Sequence, residues 1–153
     1  MAKPSYLGLL NAIATGESAA EHYLLAWAGS TKDKRLAKTL RFVAMREGEH
    51  GKAFAKRMLE LGFEVRWPDH DRADQAMALA TSDKSDITKF RKFKLHKAPG
   101  TSDVFDSMFS DKNIDPITGG LLGRYIAEER DSGRRLAAEY DRIMAKQNRA
   151  KAA

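Results

Sequence analysis

The sequence predicts an all-α fold: a single antiparallel four-helix bundle over 1–153, with a long irregular, short-helix crossover between its second and last long helices. Three observations predict it. Apolar residues recur at alternating steps of three and four through long segments, the spacing that places them on one helix face. Glycine, proline and capping residues mark the breaks between those segments. A chain of 153 residues is also long enough to hide roughly two-thirds of its unfolded surface in one core.

The first long helix is expected over about 5–28, with Tyr6, Leu10, Ile13, Glu17, Ala20, Leu24 and Trp27 on its inward line. Gly29-Ser30-Thr31 closes it, and Ser30 or Thr31 can cap the next helix. So short a loop makes the two helices an antiparallel hairpin. The second helix is expected over about 32–61, with Leu36, Leu40, Val43, Glu47, His50, Phe54 and Leu61 inward, Arg57 the one misfit, and Glu49 facing out. Gly62 supplies a C-terminal stop and Trp67-Pro68 prevents continuation. A short helix is expected at about 71–80 and a third main helix at about 82–96, where Ile87, Phe90 and Phe93 share one side and Pro99-Gly100 ends it. Another short helix is expected near 103–109. Asp115-Pro116, a cap followed by proline at the first helical position, then opens the last long helix over about 116–147, leaving 148–153 as a frayed tail. Its line is Leu122, Ile126, Glu129, Gly133, Leu136, Tyr140 and Ile143.

Each of these three seams is interrupted by one acid, and the second also carries His50, three residues after Glu47. A glutamate and a histidine at that spacing are a weak signal alone, but here both fall on the buried line. Burying unpaired carboxylates costs several kcal/mol each. Glu17, Glu47, His50 and Glu129 therefore call for a shared positive partner, and a metal ion supplies it. The alternative is a metal-free polar core in which Arg41, Arg46, Arg124, Arg130, Tyr23 or Tyr125 satisfies the acids. Glu21 and Glu128 lie at the edge of the line as possible additional ligands. Gly16, Gly48, Gly51 and Gly133, close to the acids, leave room either for ligands or for close helix packing. His22, His70 and His96 fall off the line or in connecting segments.

Cysteine is absent, which excludes disulfides, iron–sulfur clusters, thiolate zinc sites and cysteine nucleophiles. The start leads into an amphipathic helix rather than an apolar signal core, so a soluble cytoplasmic protein is expected. The net charge of +6 is concentrated at 84–97 and 142–153, and the remainder is mildly acidic. Lys89, Arg91, Lys92 and Lys94 alternate with Phe90 and Phe93, a candidate anion or partner patch in which nucleic-acid contact is the weaker alternative to a solvated face.

Gly16-Glu17-Ser18-Ala19-Ala20, Arg46-Glu47-Gly48-Glu49-His50 and Ala127-Glu128-Glu129-Arg130-Asp131-Ser132 together resemble the rubrerythrin-like branch of the ferritin-like superfamily. The resemblance spans 5–62 and about 119–147. It implies a four-helix bundle holding non-haem iron, one or two Fe per chain with Mn as a substitute. Glu17 would be a terminal or shifting carboxylate, Glu47 a bridging one, His50 the nitrogen ligand and Glu129 the carboxylate of the second helix pair. The implied activity is that of an oxidoreductase acting on peroxide or dioxygen, or oxidising ferrous iron, in a homo-oligomer such as a dimer. Two departures qualify it. The second Glu-x-x-His is missing, since Ser132 follows Glu129 by three, and no cysteine-rich segment is present, so electrons would come from a separate donor. A degenerate bundle that binds a partner or nucleic acid, and an iron-dependent hydroxylase of a large substrate such as tRNA, are the alternatives.

Overall fold

The computed structural model describes residues 3–98 and 110–152. Among them the chain forms helices α1 (Leu7–Ser30), α2 (Lys34–Glu60), α3 (Asp71–Thr81), α4 (Asp86–Lys92) and α5 (Pro116–Ala152), and no strand. No helix is long and apolar enough to cross a membrane.

The α1/α2 hairpin forms as expected, but its cap is Asp33. Asp33 Oδ1 accepts the backbone N–H of Arg35 and Leu36 at 3.1 and 3.0 Å, while the Thr31 hydroxyl donates to Asp86 Oδ2 at 2.7 Å. Gly62, at φ 83, ends α2. Asp115 opens α5, its Oδ1 accepting the N–H of Ile117 and Thr118 at 3.0 Å each. The good helix formers of the tail carry α5 to Ala152, past the expected end near 147.

The expected long helix at 82–96 is not formed. Ser85 caps α4 only one residue before it starts, accepting the Thr88 N–H at 3.2 Å, and α4 is just 7 residues long. Lys94 adopts φ 59, which turns the chain out of the helix and lets the Leu95 N–H reach back to Phe90 O at 2.9 Å. Phe93 then folds onto Tyr23, the two rings stacked 4.7 Å apart. The bundle is therefore built from three long helices, with α3 packed on α1 and α4 on α5. Pro99-Gly100 and the short helix expected near 103–109 lie outside the described residues.

Two apolar clusters form the core. Around Trp27 are Leu24, Leu36, Leu40, Val43, Phe90, Leu136 and Ile143. Around Phe54 are Tyr6, Leu10, Ile13, Met58, Leu122, Tyr125 and Ile126. Along α1, α2 and α5 alike, the acids of the seams fall between the residues of one cluster and those of the other. Arg57 is no misfit: it is buried in the structure, donating to Thr118 Oγ1 at 2.9 Å and pairing with Asp115 at 3.0 Å, which fastens the end of α2 to the start of α5.

Candidate metal centre

Between the two apolar clusters, Glu17 from α1, Glu47 and His50 from α2 and Glu129 from α5 converge. One ligand atom of each lies within 4.8 Å of the other three. Glu47 and His50 are each 5% exposed; Glu17 and Glu129 are half-buried. The seam that placed them inward also sets their depth, because each interrupts an apolar line near mid-helix.

These residues fit an ion. Donors arranged about one ion at roughly 2.0–2.2 Å are separated by no more than about 4.4 Å, so the cluster closes onto a single cation with side-chain adjustments of a few tenths of an ångström. His50 Nδ1 and Glu129 Oε1 face one another at 3.5 Å, within ion-pair reach, yet they are not in hydrogen-bonding geometry. Neither buried atom has another hydrogen-bond partner. Buried polar atoms without partners are uncommon and costly, and a shared cation would satisfy both.

The electrostatics point the same way. Burial, reinforced by the neighbouring Glu129 carboxylate, raises the Glu17 carboxyl to about 7, against the opposing effects of the Tyr125 hydroxyl and His50. At His50 burial disfavours the charged ring, but the Glu129 and Glu128 carboxylates outweigh it and raise its pKa. Without a metal, protons serve as the site's counter-charge. Tyr125 donates its hydroxyl to Glu17 Oε1 at 2.8 Å. Burial, followed by the Glu17 and Glu129 charges, pushes its phenol well up, so it remains a donor.

Glu128 and Glu21, the edge candidates, stand outside the four-atom cluster. Glu128 Oε2 contacts His50 Nε2 at 2.6 Å, on the far side of the ring from Glu129. Glu21 lies against Gly48, where an added Cβ would overlap its carboxylate. A Cβ on Gly51 would likewise meet Ser18 N at 3.0 Å and Ala14 O at 3.3 Å. These two glycines serve close packing of α1 on α2, whereas Gly16 faces open space. Of the neutralising partners the sequence offered, Tyr125 reaches Glu17, Arg124 reaches Glu128 and Arg46 pairs with Asp131 at 2.7 Å. His22, His70 and His96 are not in the cluster.

At Lys89 the expected surface patch is wrong. Its amine is buried, donating to Ala80 O at 2.8 Å and Ser30 Oγ at 3.2 Å, and it ties the ends of α1 and α3 together. Arg91 donates to the Tyr140 hydroxyl at 3.0 Å, and Lys92 and Lys94 are exposed.

A cavity of ≈ 400 Å³ adjoins the cluster; Glu17, Glu47 and Glu129 line it together with Tyr23, Lys94 and Lys97. Lys94, Leu95 and Lys97, which follow α4, form one wall of it. No protein-family model matches this chain, and neither a curated protein nor a solved structure matches it. The geometry defines an all-α protein whose buried carboxylate–imidazole cluster could hold a metal ion.

Proposed function

We propose that the chain is a rubrerythrin-like metal-dependent oxidoreductase, with one iron or manganese ion held by Glu17, Glu47, His50 and Glu129, acting on peroxide or dioxygen with electrons from a separate donor. Its main support is the convergence of four ligand atoms within 4.8 Å of one another at the junction of three helices. Three carboxylate oxygens and one imidazole form a hard donor set suited to such ions. The compactness favours one ion, because two ions about 3.5–4 Å apart need donors spread more widely. Ser132, where a second histidine would be expected, is buried and accepts from Arg46 at 3.3 Å.

A bound ion of this kind supplies one-electron chemistry toward peroxide or dioxygen. The chain itself contributes the rest. Tyr125 restrains Glu17 by its hydroxyl, the cavity admits a small oxidant beside the carboxylates, and Leu24, Val43 and Leu136 give that cavity apolar walls.

The test is peroxide consumption by Fe²⁺-loaded, desalted protein supplied with a chemical reductant. Wild-type protein should consume peroxide faster than Glu47→Ala protein treated identically. Equal rates would sink the proposal. One observation favours a second reading, polyanion binding: the end of α5, with Lys146, Arg149 and Lys151, is exposed throughout 145–152. Salt-sensitive oligonucleotide binding that Glu47→Ala leaves intact would support that activity.

A further inference from the structure

We propose that Glu128 is a positioning residue for this site, holding His50 through Nε2 so that Nδ1 is the atom presented to the ion; this rests on the metal-binding reading above. Glu128 and Glu129 are consecutive on α5, so their side chains leave the helix about 100° apart and cannot serve the cluster in the same way. The His50 ring lies between them. Its Nδ1 is 3.5 Å from Glu129 Oε1 and its Nε2 is 2.6 Å from Glu128 Oε2.

Both oxygens of Glu128 are engaged. Oε2 meets His50, and Oε1 accepts from Arg124 Nε at 3.0 Å, one helical turn away. A guanidinium can only donate, so Arg124 holds this group as an accepting carboxylate. An ionised carboxylate has no proton to give, and His50 must therefore donate from Nε2. In the neutral ring, this arrangement leaves the lone pair on Nδ1, the atom that has no hydrogen-bond partner inside the cluster. The Tyr125 ring, edge-on to His50 at 5.0 Å, limits its rotation. Arg124, Glu128 and His50 thus form a chain that orients the imidazole from the side opposite the ion, the arrangement by which outer carboxylates set the tautomer of metal-bound histidines.

In this arrangement α5 contributes one ligand, Glu129, and steadies two others, His50 through Glu128 and Glu17 through Tyr125. A ligand role for Glu128 would require it to release His50 and to swing past the ring.

The experiment uses diamagnetic Zn²⁺ as the probe of the full chain and Mn²⁺ for affinity. Long-range ¹H–¹⁵N spectra of the Zn²⁺-loaded wild type should show His50 bound through Nδ1 with a proton on Nε2. Glu128→Ala should weaken Mn²⁺ binding by about 10–100-fold, while Glu128→Gln, whose amide oxygen still accepts from Nε2–H, should stay within a few-fold of wild type. A Glu47→Gln control loses a direct ligand and should not be rescued in this way. Circular dichroism checks that each variant is folded, and should Glu128→Ala not fold, Arg124→Gln with the wild-type Glu128 gives the same spectroscopic comparison. Binding through Nε2, a Glu128→Gln protein as weak as Glu47→Gln, or a folded Glu128→Ala protein of unchanged affinity would each overturn the proposal. Failure of the wild type to take up any of Fe²⁺, Mn²⁺ or Zn²⁺ is a different result: it overturns the metal-binding reading, and this inference falls with it.

Discussion

Glu17 sits where ionisation and folding oppose one another. Its carboxyl is raised from 4.5 to about 7 in the folded chain, chiefly by burial, so the folded metal-free protein holds a proton that the unfolded chain releases. A raised acid costs nothing below its unfolded value and destabilises increasingly as pH rises through its folded value. Glu17→Gln should therefore raise the melting temperature of metal-free protein at pH 8, leave it little changed at pH 4, and lower metal uptake; paired thermal melts check the sign. The same proton competes with a metal. Mn²⁺ affinity should be tighter at pH 8 than at pH 6, by about tenfold from Glu17 alone, with His50 adding to it; calorimetric titration at the two pH values reads the difference. The four residues that cluster were legible in the sequence because each interrupts an apolar line whose period is local. The partners were not. That Tyr125 would choose Glu17, and that Glu128 would face Nε2 rather than the cluster, depends on the rotation of α5 against α2, which no local spacing records. Arg57 was hidden for the same reason: it breaks its own helix's pattern and, besides Glu60, is satisfied by Asp115 and Thr118 at the start of α5.

The long helices owe their placement to close contacts as much as to apolar burial. Gly51→Ala would push a methyl into the α1 backbone at Ser18, and should cost about 1–3 kcal/mol in urea denaturation. Gly48→Ala should cost less, since the atoms nearest its added methyl belong to the flexible end of Glu21. At the other junction, Arg57→Ala removes the guanidinium that joins Glu60, Thr118 and Asp115. It should destabilise by about 1.5–3 kcal/mol in the same assay, because it removes charge-assisted hydrogen bonds that cross between α2 and the start of α5. The three long helices were legible to within a few residues, apart from the extended end of α5. The expected helix at 82–96 was not, and the reason is local. Lys94 stops it in a left-handed conformation that costs a non-glycine residue about 1–2 kcal/mol, repaid when Phe93 stacks on Tyr23, a contact that only the folded chain contains. A helix-forming composition around 89–94 gave no warning of that stop.

On the scale of the whole molecule, a charged layer separates two apolar clusters, each drawing residues from α1, α2 and α5. Loss of metal should therefore leave the far-ultraviolet circular dichroism unchanged while lowering the melting temperature. At a metal concentration about 100 times its Kd, the stabilisation would be about 2.7 kcal/mol. The all-α class and the depth of the charged layer followed from periodicity, whereas the shortened α4 and the contacts that seat α3 on α1 could be seen only in three dimensions. Everything proposed about activity depends on the charged layer holding an ion. The most direct measurement is metal content per chain by plasma mass spectrometry after anaerobic Fe²⁺ loading and desalting, on untagged wild-type and Glu47→Ala protein. The account predicts one iron per wild-type chain and none in a folded Glu47→Ala variant; a folded wild type that retains no metal, or a variant that retains as much as the wild type, would contradict it.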